Sequence, residues 1–199
     1  MQIKKESVRE DILSAAEKEF LKRGFKNSSM RTIAKKSHTT LGNLYTYFDD
    51  KEAILDTIIG NTPTKILNVI KEHESAISTF DITKEEMELN FQDIIMTYMP
   101  NFFPLDLLLS NSLLILMEGC EGTKYESYRE TFLDLFQEHI AIHLNVEGKS
   151  FLARSVAHGF LSSLLFIGKN KKNMEEGKNE LITYIKVMVL GMPMPIPKK

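Results

Sequence analysis

The stretch Ser28–Phe48, SSMRTIAKKSHTTLGNLYTYF, decides how this chain is read. Two helix-forming pieces flank a polar joint, Ser37-His38-Thr39-Thr40, and the second piece closes on Tyr45, Tyr47 and Phe48. Ser29 is a fair cap for the first piece, because its hydroxyl can accept an orphan amide of the first helical turn. Ile33 and Ala34 supply the apolar side of that piece, and Leu44 and Phe48 supply it for the second, which runs from Thr40 or Leu41 to Tyr47. Ala34 is small where the two helices must approach, and the turn falls at Ser37–Thr39. Helical spacing leaves Leu41, Asn43, Thr46 and Tyr47 off the Leu44 side, open to an external surface.

Outward from this stretch the helix signals continue. Apolar residues recur at spacings of three and four, with no sustained alternation and no Asn-Gly hairpin, so the chain is expected to be all-α with about nine helices. The first helix is expected to open at the capping box SVRE, Ser7 with Glu10, to carry Val8, Ile12, Ala16 and Phe20, and to stop at Gly24. Asp49 with Glu52 reads as a second capping box, followed by Ile54, Leu55, Ile58 and Ile59, and Pro63 is expected to interrupt that helix. Further starts are predicted at Thr83 with Glu86, at Pro104, and at Thr123 with Glu126, the last running to Gly148. Two closing helices are expected over Lys149–Gly168 and Met174–Gly191, and the prolines 193, 195 and 197 make the tail 193–199 extended and mobile.

The chain has 199 residues, a 43% apolar share, one cysteine and a net charge of −2. Cys120 cannot form an intrachain disulfide and is expected to be buried and inert. The opening MQIKKESVRED lacks the pattern of a secretory leader, and the apolar run Leu107–Met117 is too short to span a bilayer, so a cytoplasmic protein with no membrane partner is expected. Charge is uneven: residues 1–51 hold 11 Lys/Arg against 7 Asp/Glu, and the remainder holds 14 against 20. A basic module thus sits on an acidic body. Two helices with a tight turn and a basic context form a helix-turn-helix, whose second helix can enter the major groove of B-DNA.

The pattern ILSAAEKEFLKRGFKNSSMRTIAKKS, then GNLYTYFDDKEAIL, resembles the amino-terminal domain of the TetR family of bacterial transcriptional regulators over Val8 to Leu55. The resemblance implies an all-α homodimer with a DNA-binding domain at 1–51, its motif at about 29–48, a ligand-binding and dimerisation domain at 52–192, and a double-stranded DNA operator as partner. It places Ser29 and Thr40 at the starts of the two motif helices within the DNA-binding set. Arg31 would reach a base edge or phosphate; Leu41, Gly42 and Asn43 would face bases; Tyr45, Tyr47 and Lys51 would hold the backbone. The chemistry agrees: hydroxyl and ammonium groups suit phosphate oxygens, Asn can read a base edge, and Gly42 permits close approach. Two residues depart from the family pattern, because His38 and Thr39 stand where glycine and an apolar residue are usual. His is among the non-glycine residues better tolerated at positive φ. Leu41, where a polar residue is common in the family, offers a methyl contact to thymine.

For the body, a small hydrophobic inducer is the expected ligand, and candidate pocket residues are Phe91, Ile95, Met96, Tyr98 and Met99, then Phe102 and Phe103, and later Met117, Phe132 and Phe136. The closing helices are expected to form the dimer interface through Val156, Phe160, Leu164 and Ile167, with Leu181, Ile185 and Met188. His139 and His143 share a helix face, but no HExxH glutamate or thiol cluster accompanies them, so no metal and no cofactor are expected. No nucleophile elbow, phosphate loop or catalytic carboxylate pair is recognisable, which argues against an enzyme. An all-helical enzyme or carrier, and an adaptor using the motif for protein contact, are the competing readings.

Overall fold

The computed structural model describes residues 2–77 and 104–191, and these contain ten helical segments and no strand. In chain order they are α1 (Gln2–Arg23), α2 (Met30–Lys36), α3 (Leu41–Tyr45), α4 (Lys51–Ile59) and α5 (Thr62–Ile77). There follow α6 (Leu105–Leu108), α7 (Asn111–Glu118), α8 (Tyr128–Leu144), α9 (Phe151–Asn170) and α10 (Met174–Gly191). The start expected at Thr83 and Glu86, six of the candidate pocket residues (Phe91, Ile95, Tyr98, Met99, Phe102 and Phe103) together with Met96, and the tail 193–199 lie outside the described residues.

Two compact units emerge: Met1–Pro63 with Asn111–Arg129, and Thr64–Ser110 with Glu130–Lys199. The first therefore reaches beyond the boundary expected at 51/52 and also takes in α7. Its core explains why. Ile12, Ala16 and Phe20 of α1 are buried together with Ile33, Ala34, Leu44 and Phe48, and Ile54, Leu55 and Ile59 of α4 are buried with them. All of Leu113–Met117 in α7 is buried, so this apolar run is the central helix of the unit. Each such side chain, fully removed from water, contributes about 1.5–3 kcal/mol, enough to fasten α4 and α7 to the small helices at the amino terminus.

Several boundaries differ from the sequence reading. α1 begins at Gln2, with Ser7 inside it, because QIKKE contains only residues that a helix accepts readily and nothing that stops one. The cap of α4 is Asp50, whose carboxylate accepts from the Ala53 amide at 2.7 Å, not Asp49. Gly60, at φ +53, ends α4, and Pro63 lies in the first turn of α5, where a missing amide hydrogen costs nothing. Thr123 organises a turn: its hydroxyl donates to the Cys120 carbonyl at 2.8 Å, and α8 starts at Tyr128. That turn is fastened to α4 through Asp56, which accepts from Tyr125 at 3.0 Å and from Lys124 at 2.6 Å. The Lys124 hydrogen bond holds the Asp56 carboxyl below its ordinary range.

In the second unit Arg154 on α9 forks to Asp134 at 2.6 Å and Glu130 at 2.8 Å on α8, and Lys178 on α10 reaches Asp106 on α6 at 2.7 Å. α8 ends at Asn145, φ +52, where the Val146 amide donates to the Ala141 carbonyl at 3.1 Å; the helix stops there and not at Gly148. Ser150 then caps α9. α9 is long and apolar enough, by length and composition, to cross a membrane. Its inner side is instead packed, with Ala153, Ala157, Phe160, Leu161, Leu164 and Leu165 buried.

The residues expected at a dimer surface divide by their burial within the chain. Phe160, Leu164, Leu181 and Ile185 belong to the chain's own core, while Val156, Ile167 and Met188 are half-buried. A long helix with two apolar sides offers two stripes, and the sequence does not say which one turns inward. The outward stripe contains Leu152, Gly159 and Phe166, with Phe151 93% and Phe166 68% exposed, and Val187 of α10 is 69% exposed.

Candidate nucleic-acid interface

α2 and α3 are each fixed at both ends by their own sequence. The Ser29 hydroxyl accepts from the Thr32 amide at 3.2 Å, and the Thr40 hydroxyl accepts from the Asn43 amide at 3.1 Å. Between them, α2 closes in a complete Schellman motif: the His38 amide donates to the Lys35 carbonyl at 3.4 Å, and the Thr39 amide donates to the Ala34 carbonyl at 3.0 Å. The motif requires a left-handed residue, and His38 supplies it at φ +54. The departure from glycine noted in the sequence thus keeps the turn. Buried Ser37 donates its hydroxyl to the Ile33 and Ala34 carbonyls, a second hydrogen bond for acceptors that the Ser37 and Thr39 amides already engage.

The anchors face inward and the expected contact residues face outward. Leu44 and Phe48 are buried, whereas Leu41 is 38% and Tyr45 49% exposed. Ser29, Arg31, Thr40, Gly42 and Asn43 are exposed, and Tyr47 is half-buried. A Cβ built on Gly42 would meet nothing within 4 Å, so nothing inside the chain calls for glycine there. Ser29 and Thr40 have their hydroxyls engaged as caps and position the helices that carry the other side chains.

Lys51 differs from the sequence reading. Its ammonium donates to the Phe25 carbonyl at 2.6 Å and the Ser28 carbonyl at 2.8 Å, and lies 4.1 Å from the Phe25 ring centroid. Partial burial lowers its pKa. The side chain thus ties the loop before α2 to the start of α4, holding Ser29 in place. The partners stand 26 and 23 residues away in sequence, beyond the reach of any local pattern.

A second tie was missed because it looks like an ordinary helical acid. Glu19 is only 1% exposed, accepts from Arg23 at 3.3 Å and pairs with Lys36 of α2. Its place beside Ala15, Ala16 and Phe20 on the inward side of α1 was the available signal. Lys36, one of the basic residues counted in the module, therefore holds α2 against α1.

Of the candidate pocket residues within the described part, Phe132 and Phe136 stack at 5.6 Å in the second unit, and Phe136 lies 4.6 Å from Phe160. Met117 is buried in the first unit. His139 and His143 share a hydrogen bond, Nε2 to Nε2, at 3.2 Å. Among the described residues no group of three or more His, Cys, Asp or Glu is placed to hold a metal ion. Cys120 is buried, its thiol donates to the Ile115 carbonyl at 3.3 Å, and burial pushes its pKa up to about 11. It remains a thiol at neutral pH.

A rigid helix pair with an outward second helix, its ends closed by caps and its anchors buried, defines a helix-turn-helix DNA-binding protein. Residues 12–58 match the model of the bacterial regulatory proteins of the tetR family. It is 29% identical over 189 residues to the uncharacterised HTH-type transcriptional regulator YvdT of Bacillus subtilis (strain 168), covering 89% of this chain and 92% of that one. It is 24% identical over 197 residues to YerO of the same organism, another uncharacterised HTH-type transcriptional regulator, covering 92% of this chain and 65% of that one. In fold it is similar to the crystal structure of a gamma-butyrolactone receptor (ArpA like protein), with a TM-score of 0.51 and 18% identity over 97% of this chain and 91% of the other. The chain thus carries the amino-terminal module of DNA-binding transcriptional regulators, the class to which both named relatives are assigned.

Proposed function

We propose that this regulator is a cytoplasmic, homodimeric repressor that binds a palindromic operator and is released by a small hydrophobic molecule. The observation that carries the DNA-reading part is the outward presentation of Leu41, Gly42, Asn43 and Tyr45 on a helix fixed at both ends. Arg31 and the two tyrosines supply backbone contacts, and the side chains at 41 to 43 meet base edges. Lys51 and Ser29 act behind them by holding the loop. The dimer forms through the outward stripe of α9 and α10, where Phe151, Leu152, Phe166 and Val187 are exposed and Gly159 has space beside it for a second helix. Such a two-fold dimer presents its reading helices about one DNA turn, roughly 34 Å, apart. The similarity in fold to a gamma-butyrolactone receptor supports a small and largely apolar effector. An effector acts only through differential affinity for the two conformations of the body.

The test is selection from a random duplex library with the full chain, followed by titration of the enriched site at several salt concentrations and sedimentation of the free protein. A dimer that enriches a palindrome and binds it with a steep salt dependence is expected. A monomer with no sequence enrichment would sink the proposal.

A further inference from the structure

We propose that Thr39 is a positioning residue that presents the Asn43 carboxamide to an adenine in the major groove. The inference rests on the DNA-reading function above and names the base. Asn43 is exposed on the outer side of α3, where a side chain of this kind ordinarily samples several rotamers. Here it is tethered, because Nδ2 donates to the Thr39 hydroxyl at 2.7 Å. Thr39 is itself fixed, since its amide closes the Schellman motif on Ala34 at 3.0 Å. The Asn43 backbone is held at both groups, its amide by Thr40 at 3.1 Å and its carbonyl by the Thr46 hydroxyl at 2.6 Å. The turn, the cap and the amide therefore form one rigid unit.

The tether uses one of the two N–H donors of the carboxamide and leaves a donor and an acceptor, the second N–H and Oδ1. Adenine presents the complementary pair in the major groove, the N7 acceptor and the N6 amino donor. Guanine presents two acceptors, N7 and O6, and would oppose Oδ1; thymine and cytosine each match only half of the pair. Holding the amide in advance removes an ordering cost at binding. This assigns a purpose to Thr39, which stands where the apparent family pattern has an apolar residue unable to accept this hydrogen bond.

The experiment is selection from a random duplex library with the full-length protein and its Thr39→Val, Thr39→Ser, Asn43→Ala and Thr39→Val/Asn43→Ala variants. The wild type is expected to favour adenine at one position of each half-site by about 5- to 150-fold over the other bases. Asn43→Ala should abolish this preference, Thr39→Val should reduce it to about threefold or less, and Thr39→Ser, which keeps the acceptor, should retain it. The double variant should be no less selective than Asn43→Ala, because both act through one contact. A loss of fold would instead lower binding to all duplexes alike. Full adenine preference in Thr39→Val, or an Asn43-dependent preference for another base, would overturn the inference while leaving the DNA-reading function intact. A wild type that enriches no sequence would overturn both.

Discussion

Replacing His38 tests the turn on which the reading helix depends. At φ +54 an L side chain pays a steric cost of roughly 1–2 kcal/mol, with histidine toward the lower end and a β-branched residue toward the upper. Glycine escapes that cost but loses about 0.5–1 kcal/mol through its freer unfolded chain. His38 is exposed, so no packing changes with the side chain. The expected result is that His38→Gly is about as stable as the parent or gains up to roughly 0.5 kcal/mol, while His38→Val loses about 1 kcal/mol. At a position with ordinary negative φ the order would be reversed, with glycine the less stable by about 0.5–1 kcal/mol. Urea unfolding followed by far-UV circular dichroism measures the difference, provided the m-values agree. For a chain of this length 1 kcal/mol corresponds to about 2–4 °C in Tm. Finding His38→Val at least as stable as His38→Gly would refute the reasoning.

Lys51→Met should destabilise the protein by about 1.5–3 kcal/mol, because two carbonyls lose a charged donor; an undiminished urea midpoint would restore Lys51 to a purely external role. Phe160→Ala should cost about 3–5 kcal/mol at every protein concentration, as expected of a core residue. Phe166→Glu, by contrast, should leave the subunit folded and shift sedimentation to the monomer; a dimer unaffected by it would remove the outward stripe of α9 from the interface. Stability should fall as pH rises from 9 toward 11, since the unfolded Cys120 thiol ionises near 9.0 and the folded one near 11. The effect reaches about 1–3 kcal/mol and should shrink in Cys120→Ala, measured as the urea midpoint against pH. Tyr128, pushed up to about 12 by burial, extends the same trend above pH 10 and should survive the cysteine replacement.

Much of the motif was legible because its determinants are local. A cap acts within three residues and an apolar anchor within one turn, so Ser29, Ile33, Ala34 and Leu44 could be assigned from spacing alone, with the second helix starting at Thr40 or Leu41. Even the departure at His38 had a readable consequence, since few other residue types tolerate positive φ. Asp49 and Asp50 show the limit of such reasoning: both are adjacent carboxylates before the same helix, and only the path of the chain selects Asp50. The expected Thr123 start failed for a related reason, because the loop is held down on α4 by Asp56, some 70 residues distant, a tie that no local pattern reports.

By itself the sequence determined an all-α chain with a capped, basic helix pair near its start and an apolar run at Leu107–Met117, because helical period and capping are properties of neighbouring residues. Tertiary structure alone decided where the charges and the second apolar stripes go. Lys51 turns to two carbonyls and Glu19 is buried between cations because distant segments bring those partners to them. Phe160 turns inward and Phe166 outward because α9 can bury only one side against its own chain. Thr39 reaches Asn43 because the left-handed turn at His38 sets it there.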